Sequence, residues 1–267
     1  MDALLSDNQS LDENENRIEP LNIYYPGGQK IYSYNVDLRI KTEKRVLEPN
    51  LLISCVSPID SHILFCIGYI KSMIKVWGIS FVFDYSEGKT SLMSHNAPVY
   101  ITNCTFFNKE IFTFGGFEVV SPKYATKYDF KTNEWRSLAN LPKLSDFCNS
   151  IEFKGKILVA GRSHRWLCVY DPAIDSYSLV YGFHRTHKIL MKVDNRVYVL
   201  ETEGGLFESS LGDIYNWQNV SKDCCIGCNS FSYCLKLKSG IYFIVNEQEL
   251  WEFDFKKKVT KSIALVS

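Results

Sequence analysis

The sequence predicts an all-β fold built from six small antiparallel sheets standing side by side. Three observations carry it. Short strand-like runs are set off by Gly, Pro, Asn and Asp turns, no stretch has the apolar spacing of an amphipathic helix, and an acidic residue recurs just after an apolar or aromatic one. The recurring residues are Asp37, Asp84, Asp129, Asp171, Glu208 and Asp254, 37 to 47 residues apart, a period that marks stacked-repeat architectures. A sheet of about four strands cannot bury both faces alone, whereas radial stacking covers them and leaves only short edges. At 267 residues the chain is long enough for one such core, and no second domain is required.

Residues 1–17 carry Asp2, Asp7, Asp12, Glu13 and Glu15 against Arg17 and hold too little apolar surface to pack, so they are expected to be a disordered acidic tail ahead of a folded unit at 18–267. Leu21 to Tyr25, Ile31 to Val36 and Thr42 to Val46 read as three strands, with Pro26-Gly27-Gly28 between the first two. No run supplies an innermost strand before them, so the first sheet is expected to be incomplete and the seam between the chain ends open or filled by the tail. Ile63 to Phe83 is apolar and long enough to suggest a membrane span. Lys71 and Lys75 would then lie near the bilayer centre, where charge is costly, and the repeat register splits the run into two strands instead. The third unit has Ile111 to Phe114, a Gly115-Gly116 exit, Lys127 to Phe130, a Lys131-Thr132-Asn133 turn and Glu134-Trp135-Arg136. Ile157 to Gly161 and Leu167 to Asp171 belong to the fourth unit, Arg196 to Leu200 and Gly205 to Glu208 to the fifth. The sixth has Cys234 to Leu237, Ile241 to Val245, Leu250 to Asp254 and a closing strand from Thr260 to Leu265.

The third unit, Phe106 to Pro142, resembles a kelch motif: an apolar run, Gly-Gly, Tyr128, and Trp135 seven residues after it. Phe83, Tyr170 and Phe253 repeat the place of Tyr128, and Thr90, Tyr177 and Thr260 that of Trp135. Gly27-Gly28 keeps the glycine pair, Gly68 and Gly161 keep half of it, and Gly204-Gly205 is displaced. The likeness covers nearly the whole chain after residue 17. It implies a six-unit kelch-type β-propeller of about four strands per blade, with Tyr128, Trp135, Tyr170 and Tyr177 packed between blades. It also implies a non-enzymatic scaffold that binds another protein, since several kelch proteins are substrate receptors of cullin ubiquitin ligases or cytoskeletal binders. Nothing resembles a BTB or F-box segment.

Thirty basic and 30 acidic residues cancel, so no global field favours nucleic acid. Nine cysteines behind a polar, acidic N-terminus without an apolar leader point to a reducing compartment, and the cytoplasm is expected. Cys224-Cys225-Ile226-Gly227-Cys228, with Cys234 beyond it, offers one CxxC without the second pair a structural zinc needs. His184 and His187 lack the helix and the Glu of a zincin, and no nucleophile elbow, P-loop or dinucleotide fingerprint is present. No metal, cofactor, membrane or catalysis is therefore expected. The alternative is a propeller enzyme or metal protein using these Cys and His groups.

In a four-stranded blade the loop between the second and third strands opens on the same side as the connection to the next blade. That side collects Arg162, His164, Arg165 and Trp166 from one loop and His184, Arg185 and His187 from the adjoining connection. Glu118, Ser121, Lys123, Tyr69, Lys71 and Lys75 come from neighbouring loops. Guanidinium forks suit carboxylates and phosphates, and a Trp beside them adds apolar contact. These seven residues are expected to bind an acidic or phosphorylated peptide; the competing reading is a set of solvated loop charges.

Overall fold

The computed structural model describes residues 22–27, 29–35, 40–45, 50–60, 63–71, 76–99, 101, 103–116, 124–143, 148–161, 166–180, 188–193, 196–201, 205–210, 213–221, 231–236, 240–245, 249–254, 257 and 259–265. Within them, 23 strands pair antiparallel, each only with its neighbours in sequence, to give six sheets. The first sheet holds β1 (Asn22–Gly27), β2 (Lys30–Asn35) and β3 (Ile40–Arg45). The second holds β4 (Leu51–Pro58), β5 (Ile63–Lys71), β6 (Val76–Asp84) and β7 (Lys89–Ala97). The third holds β8 (Cys104–Phe107), β9 (Glu110–Phe114), β10 (Ala125–Asp129) and β11 (Glu134–Ser137). Next come β12 (Cys148–Phe153), β13 (Lys156–Gly161), β14 (Leu167–Asp171) and β15 (Ser176–Val180), then β16 (Lys188–Val193), β17 (Arg196–Glu201), β18 (Leu206–Ser210) and β19 (Asp213–Ser221). The last sheet is β20 (Phe231–Lys236), β21 (Gly240–Val245), β22 (Glu249–Asp254) and β23 (Val259–Leu265).

The first strand of each sheet packs beside the first strand of the next, from β1 to β4, β8, β12, β16 and β20, and β20 also touches β1. The array is propeller-like. Among the described residues the first sheet has three strands, as the sequence predicts, but β1 itself takes an inner position against β4 and β20, so the innermost strand is not the one lacking. The expected tail at 1–17 lies outside the described residues.

Strand alternation puts successive side chains on opposite faces, and each face feeds a different inter-sheet core. Ile111 packs with Phe65, Ile67 and Tyr128 between the second and third sheets, while Phe112 packs with Tyr170, Ile157 and Val159 between the third and fourth. Trp135 rests against that first cluster and donates from Nε1 to Ser80 Oγ of the second sheet at 3.2 Å. Polar side chains stitch the inner strands. Asn103 Oδ1 accepts from Ser150 N and Oγ at 3.0 and 2.9 Å, the Thr105 and Ser150 hydroxyls lie 2.7 Å apart, and Asn149 Oδ1 accepts from Leu190 N at 3.3 Å. The apolar run from Ile63 to Phe83 is β5 and β6, and no helix among the described residues is long and apolar enough to cross a membrane.

The periodic acidic residue has a local cause. Asp84, Asp129, Asp171 and Asp254 each end a third strand and accept, through Oδ1, a backbone N–H two or three residues on, from Ser86, Lys131, Ala173 and Lys257 at 2.8 to 3.1 Å. A carboxylate one carbon from the backbone is the right length for this turn, which a Glu is not. Glu208 accordingly sits inside β18 and pairs with Arg196, and the hairpin after it is built differently. The turn closes in left-handed backbone at Gly88, Asn133 and Asp175, with φ of 71°, 58° and 47°. Asp175 also accepts from Tyr170 Oη at 2.8 Å and from Ala139 N, just past the end of β11, at 2.9 Å, tying the fourth sheet to the chain leaving the third.

Hydrogen bonds to the ionised form hold Asp129 and Asp171 below the usual carboxylate range, Asp129 through Lys131 N and Asp171 through the Lys156 ammonium. A folded-state pKa below the unfolded one, near 3.9, contributes stability that is present above that value and lost as pH falls through the folded value. The urea midpoint is therefore expected to decline on acidification from pH 5 to pH 3. Asp129→Ala is expected to cost about 1 kcal/mol and Asp129→Asn about half that, because the amide oxygen still accepts from the turn. Equal losses for the two would contradict the capping role.

Candidate functional site

Both ends of every sheet carry connections, and the two ends differ. At one end lie the tight turns capped by the acidic residues. There Lys127 pairs with Glu110 at 2.7 Å, Lys156 with Asp171 at 2.6 Å, Lys261 with Glu252 at 2.8 Å, Arg196 with Glu208 and Lys192 with Glu152. These cross-strand pairs neutralise the turn end locally.

The loops between second and third strands leave from the other end. Pairing of Cys148 with Gly161, Leu167 with Ala160 and Val180, and Lys188 with Glu201 puts the end of β13, the start of β14, the end of β15 and the start of β16 on that side. The segments 162–165 and 181–187 are joined to those strand ends. Arg162, His164, Arg165, His184, Arg185 and His187 themselves lie outside the described residues, as do Glu118, Ser121, Lys123, Lys75 and Cys224, Cys225 and Cys228.

Trp166 is described. It stands at the foot of its loop, 3% exposed, within the cluster of Phe112, Phe114, Leu141, Cys148 and Cys168. Its Nε1 has no hydrogen-bond partner among the described residues. Packing, more than contact with a ligand, is what this position offers. It gives the 162–165 segment a fixed apolar base.

The equivalent place in the two preceding sheets is different. Trp77, the second residue of β6, is 37% exposed, and Tyr124, immediately before β10, is 40% exposed. Two large aromatics thus face solvent at the loop end of adjacent sheets, and Lys71, at the end of β5, is exposed opposite Val76, next to Trp77 in the register. Sequence reasoning missed both, because it gathered loop residues chiefly by charge and named neither ring. Backbone hydrogen bonds close two of the loop bases: Gly115 N donates to Tyr124 O at 2.8 Å and Glu201 N to Gly205 O at 2.9 Å. Gly116 needs to be glycine there, since its φ is 133° and a Cβ would come within 3.1 Å of Ile101 Cδ1 and 3.3 Å of Val99 O. Among the described residues no group of three or more His, Cys, Asp or Glu side chains converges on a metal position.

No protein-family model matches the chain, and no curated protein matches it by sequence. Among solved structures, 740 chains match, so the architecture is one shared across many proteins. One is a chain in the crystal structure of a nidogen/laminin complex, with a TM-score of 0.66 at 7% identity over 91% of this chain and 92% of that one. At that identity the likeness shows the fold alone: an all-β, propeller-like chain.

Proposed function

We propose that this chain is a six-bladed kelch-type propeller that binds another protein and catalyses nothing, holding an acidic or phosphorylated peptide across the loop end of its sheets. The observation that carries this reading is the pair of exposed aromatics, Trp77 and Tyr124, at that end of adjacent sheets, opposite the end where Lys127 pairs with Glu110 and Lys156 with Asp171. Exposed aromatic side chains on a rigid base are the usual anchors of a protein interface. The segments that follow β13 and β15 in sequence carry Arg162, Arg165 and Arg185, whose guanidinium forks match carboxylate or phosphate, together with His164, His184 and His187. The similar chain in the nidogen/laminin complex was solved bound to a protein, which supports a protein partner in general. A cytoplasmic scaffold, a ubiquitin-ligase substrate receptor or a cytoskeletal binder would each use such a face.

The test uses fluorescent 12-residue peptides: a Glu- and Leu-containing one, its phosphoserine version and a neutral control. The acidic and phosphorylated peptides are expected to bind and the neutral one not. Arg165→Glu is expected to weaken binding about tenfold at low salt and less at moderate salt, with folding unchanged because the residue lies between strands. Charge reversal at Lys257, in a turn at the opposite end, should leave affinity alone. Parental affinity in Arg165→Glu at both salt concentrations would place the site elsewhere.

A further inference from the structure

Cys55 and Cys104 belong to the inner strands β4 and β8 of adjacent sheets, and their Sγ atoms lie 3.1 Å apart in a buried contact. What brings them together is a defect in a ladder. Ile53 pairs with Gly68 and Cys55 with Ile67, so Ser54 is an extra residue, its hydroxyl donating to Ile67 O at 3.2 Å. In an unbroken strand residues 51, 53 and 55 would share a face. Leu51, Ile53 and Val56 do pack together toward the first sheet, with Ile31, whereas Cys55 packs toward the third with Cys104, Ile111 and Tyr128. The bulge at Ser54 turns Cys55 from one inter-sheet core into the other, which is the re-aiming that bulges perform. Cys66, on β5, packs into the first of those cores and not the second.

We propose that Cys55 and Cys104 form a covalent cross-link site, closing a disulfide between the second and third sheets when a small-molecule disulfide is supplied as oxidant. One thiolate attacks the small disulfide and releases half of it as a thiolate. The second protein sulfur then displaces the other half. Two S–H bonds are lost, one S–S bond forms, the small disulfide takes up two electrons, and the two protons go to its departing thiolates. The sulfurs need approach by only about 1 Å to reach bonding distance. Burial, and the hydrogen bond with Cys104, push the Cys55 thiol well above its ordinary pKa, so Cys55 stays protonated in the closed structure and exchange waits on local opening. The link would close a loop of 49 residues in sequence, long enough to constrain the unfolded chain strongly.

The full chain would be incubated in a buffer of reduced and oxidised glutathione with urea well below the unfolding midpoint. Opening of both sites would be verified by thiol labelling in the same urea without oxidant. Peptide mapping under non-reducing conditions is expected to find the 55–104 cross-link as the main disulfide. The thermal midpoint should rise by several degrees and fall back on reduction. Cys66→Ala should leave the cross-link in place, and Cys104→Ala should abolish both the link and the oxidation-dependent rise. Labelled sites that remain free thiols at the end of the incubation, or a link that forms equally to Cys66, would overturn the assignment. Because Cys→Ala in a core can lower stability by itself, the mapping of the parent chain decides the matter independently.

Discussion

Gly78→Ala is expected to lose about 3 kcal/mol of stability or more, because the added methyl meets backbone on every side. A Cβ on Gly78 would stand 1.9 Å from the Ala97 carbonyl oxygen, 2.6 Å from its carbon and 3.1 Å from Pro98 O. All three are backbone atoms, so no side chain can rotate aside. The contact exists because Gly78 in β6 pairs with Ala97 in β7 next to a register shift that draws the two strands together. Relief requires parting β6 from β7, which carries the outer edge of the second sheet with it. Gly155→Ala is the control: its Cβ would meet nothing within 4 Å, and only its φ of 77° is strained, for about 1 kcal/mol. Urea unfolding of the two variants measures the difference. A parental midpoint for Gly78→Ala would mean that this close approach does not occur.

Phe65→Ala is expected to cost about 3–5 kcal/mol. The ring is fully buried on β5, with its centroid 5.5 Å from Tyr128, 5.6 Å from Phe130 and 6.2 Å from Trp135, all of the next sheet. Truncation leaves a cavity between sheets whose strands are held by their own ladders and cannot collapse into it. Phe130 and Trp135 lose their edge-to-face contacts as well. Leu92→Ala, at an exposed position of β7, should change stability by less than about 0.5 kcal/mol. Calorimetry of Phe65→Ala, Trp135→Ala and the double variant should show a sub-additive pair, since both remove the same contact. Full additivity would separate the two residues in space.

Most strands were legible because their determinants are local. Ile111 to Phe114, Gly115-Gly116 and the Asp129 turn each contain the residues that fix them, and alternation or turn chemistry can be read without knowing the neighbours. The bulge at Ser54 was not legible, because nothing in Leu-Leu-Ile-Ser-Cys-Val distinguishes an extra residue from a continuous strand. Only packing against two different sheets decides it. The position of β1 was missed for a related reason: which strand of a meander lies innermost depends on contacts with β4 and β20, far away in sequence. At the loop end, charge drew attention to residues 162–165, while Trp77 and Tyr124 were not singled out at all. A single aromatic at a strand start reads identically whether buried, as Trp166 is, or exposed.

Strands that pair only with sequence neighbours carry a consequence for the order in which the protein assembles. Each hairpin ladder closes over a short loop, so a sheet can zip as soon as its own residues have left the ribosome. Five sheets could therefore stack one upon the last during synthesis, each burying the face its predecessor exposed. The contact between β1 and β20 is different, because it cannot form before Phe231–Lys236 has been made. Until then the first sheet keeps one face bare, and the array reaches its final stability only once that strand has docked, a point at which a chaperone would find its target.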